Sequence, residues 1–556
     1  MIARFESKVE SLQVKVDRLQ AFRLYSFLVF IAFMVFAYFA KIEALYAPVI
    51  VIFSSGFTYL LIKYNRTKKH LDHVLQLKTF IERQQARRAG TYKLLKPPSY
   101  LDLYKDLPLS RDLDLIGDKS LYSQISESLT EEGDLYLIEN ILNGSKHART
   151  YREQILSNVK SYHKDKRHFN KRLKDENLHL EPLVAWSKDS STSIPPMAFY
   201  SVYIGYAVFL FSLFTPFKNI GLTLYLFSYV VSFAQFYRAF DKAIELEFLL
   251  FSLRKHLEYL LAKKWISESG FKSLRRVSKW VSFLSIQANP LVLVLLNFVF
   301  PWTAFFTHLL GAAKKEVAKE VPSLVTALKE WDYLFSLRTV YHYQTQTFAS
   351  LQTKADWKAE NIFHPLLSNP IKNSFSLQSL ALITGSNMSG KSTFLRTIGI
   401  NQVLACMGAP VFARSLTTWP TKILSCIRVS DSLEHGISYF YAEVLRLKQI
   451  VTESKTSPCL FLIDEIFRGT NNKERFIGAK SLILELSRGP SIGVVTTHDL
   501  DLVDLEKLDS NIKNYHFHDE VREKELHFSY TLNEGPSKST NALQILKNVG
   551  LPVLQS

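Results

Sequence analysis

Cysteine is scarce in this chain. Only Cys406, Cys426 and Cys459 occur in 556 residues, and none has the spacing of a metal ligand. A cysteine-held metal site is therefore excluded, and the three read as reduced, buried thiols in a cytosolic part of the protein. Acidic residues are in deficit too: 51 Asp and Glu stand against 68 Lys and Arg, for a formal charge of +17 and a pI near 9.4. Such a balance favours polyanionic partners, whether nucleic acid, nucleotides or an anionic membrane face, without choosing among them. No internal repeat or low-complexity tract stands out, and no signal-peptide cleavage pattern follows the first apolar run, which is expected to be retained.

Apolar material is plentiful. It makes up 47% of the residues, with 40 Phe and 26 Tyr. The length alone suggests about three or four domains. Two uncharged runs, 24–40 and 45–62, are separated only by Lys41–Ala44, and a second pair, 198–214 and 220–236, is joined by Thr215–Asn219. Each run is about 17 or 18 residues, the lower limit for a bilayer span. Basic residues flank the outer ends of both pairs: Lys15, Arg18 and Arg23 before the first, Lys63, Arg66, Lys68 and Lys69 after it, Arg238 and Lys242 after the second. Two transmembrane hairpins are therefore expected, with everything else on the cytoplasmic side; buried core helices are the weaker alternative. A fifth apolar run, 291–310, contains Asn297, Pro301, Trp302 and His308 and is expected to be a buried or membrane-touching helix.

The expected organisation follows. Residues 1–63 hold an N-terminal helix and the first hairpin. Residues 64–109 form a basic juxtamembrane helix and linker, placed near anionic headgroups. Residues 110–345 are an all-α region carrying the second hairpin. After "NPIKNSFSL", residues 369–377, the texture changes, and short apolar runs ("LALIT", "CLFLID", "SIGVVTT") alternate with helical stretches. That alternation predicts an α/β domain over 346–556, of the P-loop NTPase type, with a parallel sheet and flanking helices.

The candidate chemistry lies in this last part. Gly385, Ser386, Asn387, Met388, Ser389, Gly390, Lys391 and Ser392 fit the G-x-x-x-x-G-K-[ST] pattern between an apolar run and a helical one. Glycines let such a loop turn its backbone N–H groups onto phosphate oxygens, and the following helix adds its dipole. Lys391 can reach the β- and γ-phosphates and Ser392 can bind Mg²⁺; Thr393 belongs to the same nucleotide-binding set. "CLFLIDE" ends in Asp464, expected to hold the Mg²⁺ shell, and Glu465, expected to orient or deprotonate the attacking water. His498, at the end of "SIGVVTTH", is placed to sense the γ-phosphate. ATP and Mg²⁺ are the expected ligands.

Further stretches narrow this. "TGSNMSGKSTFLR", "SDSLEHGISYFYAEV", "LIDEIFRGTNN", "VTTHDL" and "NEGPSKSTNALQILKNVGLP" occur in that order. Together they resemble the ATPase domain of the MutS mismatch-repair family, closely over about 362–555. Upstream, Asp112–Leu142 looks like the start of that family's helical core and "EWDYLFSL", around Trp331, like its end. The resemblance implies that Ser438 reaches across a homodimer to the partner's γ-phosphate, and that Glu443 closes the same motif. It further implies that Asn387 senses the nucleotide state, Tyr530 stacks on adenine, and Glu534–Pro552 holds the dimer together.

The departures from the family are also informative. Its mismatch-reading N-terminal domain, its clamp and the endonuclease appendage of one branch are expected to be missing here, and direct mismatch reading with them. Phe80-Ile81-Glu82 has the letters of the reading loop but lies in a helical pattern. Binding to the DNA backbone through charge stays open. The leading expectation is thus a dimeric MutS-like ATPase, multi-pass in the cytoplasmic (inner) membrane, with the lipid bilayer and DNA as partners. Half an ABC-type transporter is an alternative, but "ISYFYAEVLRLKQ" stands where its signature should be. A DNA–membrane tether with incidental ATPase activity is another.

Overall fold

The computed structural model describes residues 2–40, 46–89, 91, 98–128, 130–157, 179–189, 194–262, 264–288, 290–386, 388–428, 439–467, 470–522 and 525–536. The chain is mostly helical. Its helices include α1 (Ile2–Phe39), α2 (Tyr46–Arg88), α3 (Pro108–Leu113), α4 (Leu121–Ile125), α5 (Glu131–Asn143) and α6 (Ala148–Ser157). There follow α7 (Glu181–Lys188), α8 (Pro196–Ser212), α9 (Lys218–Ala262), α10 (Glu268–Ser285), α11 (Pro290–Val299) and α12 (Trp302–Tyr343). The strands come after them, with α13 (Lys391–Met407), α14 (Tyr439–Thr456) and α15 (Asn472–Ser487) among them. Two compact units result. One comprises Met1–Ser126, Ile138–Asp175 and Ser336–Ser556, the other Glu127–Leu137 and Glu176–Phe335.

The second unit is helical for legible reasons. Ser267 caps α10 by accepting a hydrogen bond from Gly270 N, and the helix buries Leu274, Val277, Val281 and Leu284, one stripe at three- and four-residue spacing. The run 291–310 is not one helix. Pro301 separates α11 from α12, and Asn297 stitches the break: its Oδ1 accepts from Thr303 N at 2.9 Å and its Nδ2 donates to Gln287 Oε1 at 3.2 Å. Asp332, fully buried, accepts from both Thr130 N and Thr130 Oγ1, at 2.9 and 2.6 Å.

In the first unit α1 and α2 pack through Leu12, Val16, Leu71 and Val74. The end of α2 is not a surface-lying basic helix. Phe80 and Arg87 are buried, and the Arg87 guanidinium donates to the carbonyls of Ser123 (3.2 Å) and Ser126 (2.7 Å). A charged head that finds carbonyl acceptors inside the protein has no need of an external anion.

The expectation of two transmembrane hairpins is corrected. Among the described residues no single helix is both long and apolar enough to cross a membrane. The first two apolar runs fall in α1 and α2, whose remaining turns are charged. The α8 helix is apolar but only 17 residues long, at the lower limit of about 17 for a span. Lys218–Val231 and Phe236–Glu247 meet the criterion only jointly, across a 61° bend. The multi-pass inner-membrane location and the bilayer partner rested on these hairpins and fall with them.

The expected parallel P-loop sheet is corrected as well, because the strands form two mixed sheets. The smaller has the order β1 (Ser350–Leu351), β5 (Ser415–Thr418), β2 (Trp357–Ile362), β3 (Asn373–Leu377), with β2 antiparallel to both neighbours. The larger has six strands in the order β10-β9-β4-β8-β7-β6. Here β4 (Leu380–Thr384), β6 (Ile423–Cys426), β7 (Leu460–Asp464), β8 (Ile492–Thr497) and β9 (Ile512–Arg522) pair in parallel, while β10 (Glu525–Glu534) folds back antiparallel on β9. A β9–β10 hairpin needs only a short turn, so it adds an antiparallel edge cheaply. Every residue of β4, β7 and β8 is buried, as central strands covered on both faces require. The three cysteines are free, and burial pushes the thiols of Cys406 and Cys459 up.

Candidate nucleotide site

Three buried strands bring the site together. The apolar run of β4 ends at Thr384, and the chain turns sharply at Gly385 (φ 152°). A Cβ there would lie 2.8 Å from Ser389 Oγ. The loop closes at Gly390 (φ 105°), directly before α13, where a Cβ would lie 3.1 Å from the Tyr530 ring. Both positions demand glycine, one for space within the loop and one for its left-handed backbone. Ser389 is buried and its Oγ makes no hydrogen bond. An orphaned hydroxyl costs free energy unless a ligand uses it. Met388 (φ 71°) stands out from the loop, exposed.

Lys391 opens α13 and folds back over the loop. Its Nζ donates to the carbonyls of Gly385 and Ser386, at 2.7 and 2.8 Å, with only 5% of the residue exposed. Beside it, Ser392 Oγ donates to Asp464 Oδ2 at 2.6 Å, at the end of β7. The other oxygen of Asp464 accepts from Thr496 Oγ1 at 2.5 Å. Glu465 follows in a left-handed backbone conformation (φ 54°), its N–H donating to Thr496 O at 3.1 Å. Its carboxylate lies between Lys391 and His498: Lys391 Nζ is 4.0 Å from Oε1, and His498 Nδ1 is 3.6 Å from Oε2.

Lys391, Ser392, Asp464, Glu465 and His498 thus meet at one end of β4, β7 and β8. Thr393 stands in the first turn of α13, its carbonyl accepting from Thr397 Oγ1. Tyr530 lies on β10 (φ 52°), half-exposed, with its ring over Gly390. Asn373 fixes that strand from β3: its Nδ2 donates to Tyr530 O at 3.0 Å and its Oδ1 accepts from Leu532 N at 2.8 Å. Asn387 and Ser438 lie outside the described residues, as does 537–556, most of the segment expected to hold a dimer together. Glu443 is buried on α14 and accepts from Phe467 N at 2.6 Å. Thr496 was not singled out from the sequence. A hydroxyl at the penultimate place of a buried strand, beside one that ends in a carboxylate, was the available signal.

The donor set suits hard, anionic chemistry. A loop with a buried lysine and an orphaned hydroxyl fits phosphate oxygens. One serine and one aspartate fit a Mg²⁺ that takes its remaining ligands from phosphate and water. No group of three or more His, Cys, Asp or Glu side chains that could cage a metal occurs among the described residues.

The model of MutS domain V matches residues 381–555. The chain is 29% identical over 254 residues to the DNA mismatch repair protein MutS of Aquifex pyrophilus, a stretch covering 43% of this chain and 29% of that relative. It is 31% identical over 194 residues to the endonuclease MutS2 of Thermus thermophilus, covering 34% of this chain and 26% of the relative. The matched stretch therefore spans less than a third of the length of either relative. Residues 381–555, which carry every described residue of the site, thus match domain V of the MutS family.

Proposed function

We propose that residues 346–556 bind ATP with Mg²⁺ and hydrolyse it, in a chain that works as a homodimer on DNA. The observation that carries this reading is the linkage of Lys391, Ser392, Asp464 and Glu465 across two strand ends. Gly385–Gly390 and Lys391 would hold the phosphates, with Thr393 alongside, and Tyr530 would pack against the base. Ser392 and Asp464 would hold the Mg²⁺. Bound there, Mg²⁺ neutralises charge on the phosphate oxygens. Hydrolysis breaks the bond from the γ-phosphorus to the bridging oxygen as a water oxygen takes its place. Glu465 accepts the proton of that water, and Lys391 balances the charge left on ADP. His498, beside Glu465, would orient the carboxylate and respond to the γ-phosphate.

The dimer and DNA parts of the proposal rest on the sequence and on one relative. Ser438 and Asn387 sit in motifs that resemble the family's shared-site residues, and one relative is named a DNA mismatch repair protein. The charge of +17 suits contact with DNA phosphates. Residues 110–345 would serve as the core-and-lever region.

Glu465→Gln is the direct test. It should leave ATP binding intact and lower turnover about a hundredfold or more. Turnover equal to wild type would remove Glu465 from this role. Measuring DNA binding and wild-type ATPase with no DNA, homoduplex and mismatched DNA, at several salt concentrations, tests the DNA part; no binding at low salt would sink it.

A further inference from the structure

The mechanism above makes no use of one buried carboxylate. Asp112, in α3, is fully buried. Its Oδ2 accepts from Ser425 Oγ (2.7 Å), Ile427 N (3.1 Å) and Arg446 Nη2, and its Oδ1 accepts from Arg428 N (2.8 Å). Arg446 also donates to the carbonyls of Arg428 and Ser425, at 2.9 and 2.8 Å. A buried charge holding this many donors fixes them all relative to itself.

What it fixes leads to the site. Arg446 lies on α14, three residues after Glu443, so the two share a face of that helix. Glu443 accepts the hydrogen bond of Phe467 N. Glu465 and Phe467 both have left-handed backbones (φ 54° and 57°) in one short turn. Non-glycine residues hold such a conformation only when their surroundings impose it. The backbone N–H anchors of this turn are Glu465 N to Thr496 O on β8 and Phe467 N to Glu443 on α14. On its other side α3 meets the helix of the glycine loop: Arg396, on α13, donates from Nε to Asp112 O at 3.1 Å, and its Nη1 lies 3.8 Å from Asp114.

We propose that Asp112 is a positioning residue for ATP hydrolysis: through Arg446 it holds α14, and through Glu443 on α14 it holds the turn that carries Glu465. The proposal rests on the ATPase reading. The α3 helix thereby ties the helix bearing Lys391 to the one that steers Glu465, and it sets the gap between them.

The test uses the full chain with Arg446→Ala, Arg446→Lys and Glu443→Gln. Steady-state ATPase gives kcat, an ATP titration gives nucleotide affinity, and hydrogen exchange reads the amides of 464–467. Arg446→Ala should lower kcat about tenfold or more while ATP affinity stays within about twofold. Arg446→Lys, which can still pair with Asp112, should recover most of the loss. Glu443→Gln weakens a charge-assisted bond and should lower kcat about threefold or more. The double variant Arg446→Ala/Glu443→Gln should be no slower than the slower single. Exchange at Phe467 N–H should quicken in Arg446→Ala, with β4 and β8 unchanged. Wild-type kcat in a folded Arg446→Ala, equal losses of kcat and affinity, or unchanged exchange at Phe467 would each overturn the proposal. If Arg446→Ala does not fold, Glu443→Gln decides by the same measurements. A wild-type chain without ATPase would sink the ATPase reading, and the exchange experiment would still judge the link from Arg446 to Phe467.

Discussion

Ser392 Oγ donates to Asp464 Oδ2 at 2.6 Å, joining the first turn of α13 to the end of β7. Both oxygens would turn to the same Mg²⁺. Asp464→Asn keeps the shape and a hydrogen-bond acceptor but removes the charge. Turnover should fall about a hundredfold, and the Mg²⁺ concentration for half-maximal activity should rise. A Mg²⁺ titration of ATPase checks this. An unshifted Mg²⁺ midpoint would mean that Asp464 does not hold the metal.

Gly390 combines a left-handed backbone with a ring packed where a Cβ would go. Gly390→Ala should destabilise the first unit by about 1–3 kcal/mol and displace Tyr530. Thermal unfolding and ATP affinity, measured together, read both effects. An alanine variant as stable as wild type and equal in affinity would contradict the loop conformation.

Gln402, fully buried, accepts at Oε1 from Trp357 Nε1 (3.1 Å) and Thr418 Oγ1 (2.6 Å) and donates from Nε2 to Trp419 O (2.9 Å). Gln402→Leu keeps the volume but strands a buried indole N–H, a hydroxyl and a carbonyl. The loss should be about 2–4 kcal/mol, seen as a lower urea midpoint. A loss below about 1 kcal/mol would show that these groups find other partners.

His364 is buried, and burial together with the charge of Arg396 lowers its pKa to about 4. The unfolded chain binds the proton first, near the ordinary histidine value of about 6.5. The stabilising contribution of neutral His364 is therefore complete above that value and declines as pH falls from about 6.5 toward 4, by at most about 1.4 kcal/mol per pH unit. Urea unfolding at pH 7.5, 6 and 5 should show the decline, and His364→Gln should flatten it. An equal slope in both proteins would assign the effect elsewhere.

What could be read from the sequence was local. Gly385, Gly390, Lys391 and Ser392 lie within eight positions, and Asp464 and Glu465 are adjacent, so one loop and one strand end disclose them. Asn373 with Tyr530, or Asp112 with Arg446, meet across long stretches of chain, and no spacing announces such pairs. The small sheet was missed because β2 buries Trp357, Ala359 and Ile362, an alternation broken by its irregular pairing with β3. The antiparallel β10 was missed because its sequence, ELHFSYTLNE, is too polar to read as a core strand. The hairpin reading failed for a different reason. Uncharged runs mark where charges are absent, and they do not show where a helix begins or stops: α1 starts well before its run and α2 continues well past its own, both through charged turns.

The strand order has a consequence for biosynthesis. In space β4 lies between β8 and β9, and both of those strands follow it in the chain. A nascent polypeptide that has emerged only as far as residue 511 can zip β4 to β8 along one rim, while the opposite rim stays bare until Ile512–Arg522 arrives. Such an open rim invites mispairing with other chains. Stalling the ribosome just short of β9 should therefore yield a sticky, aggregation-prone intermediate, and releasing a few dozen further residues should silence it.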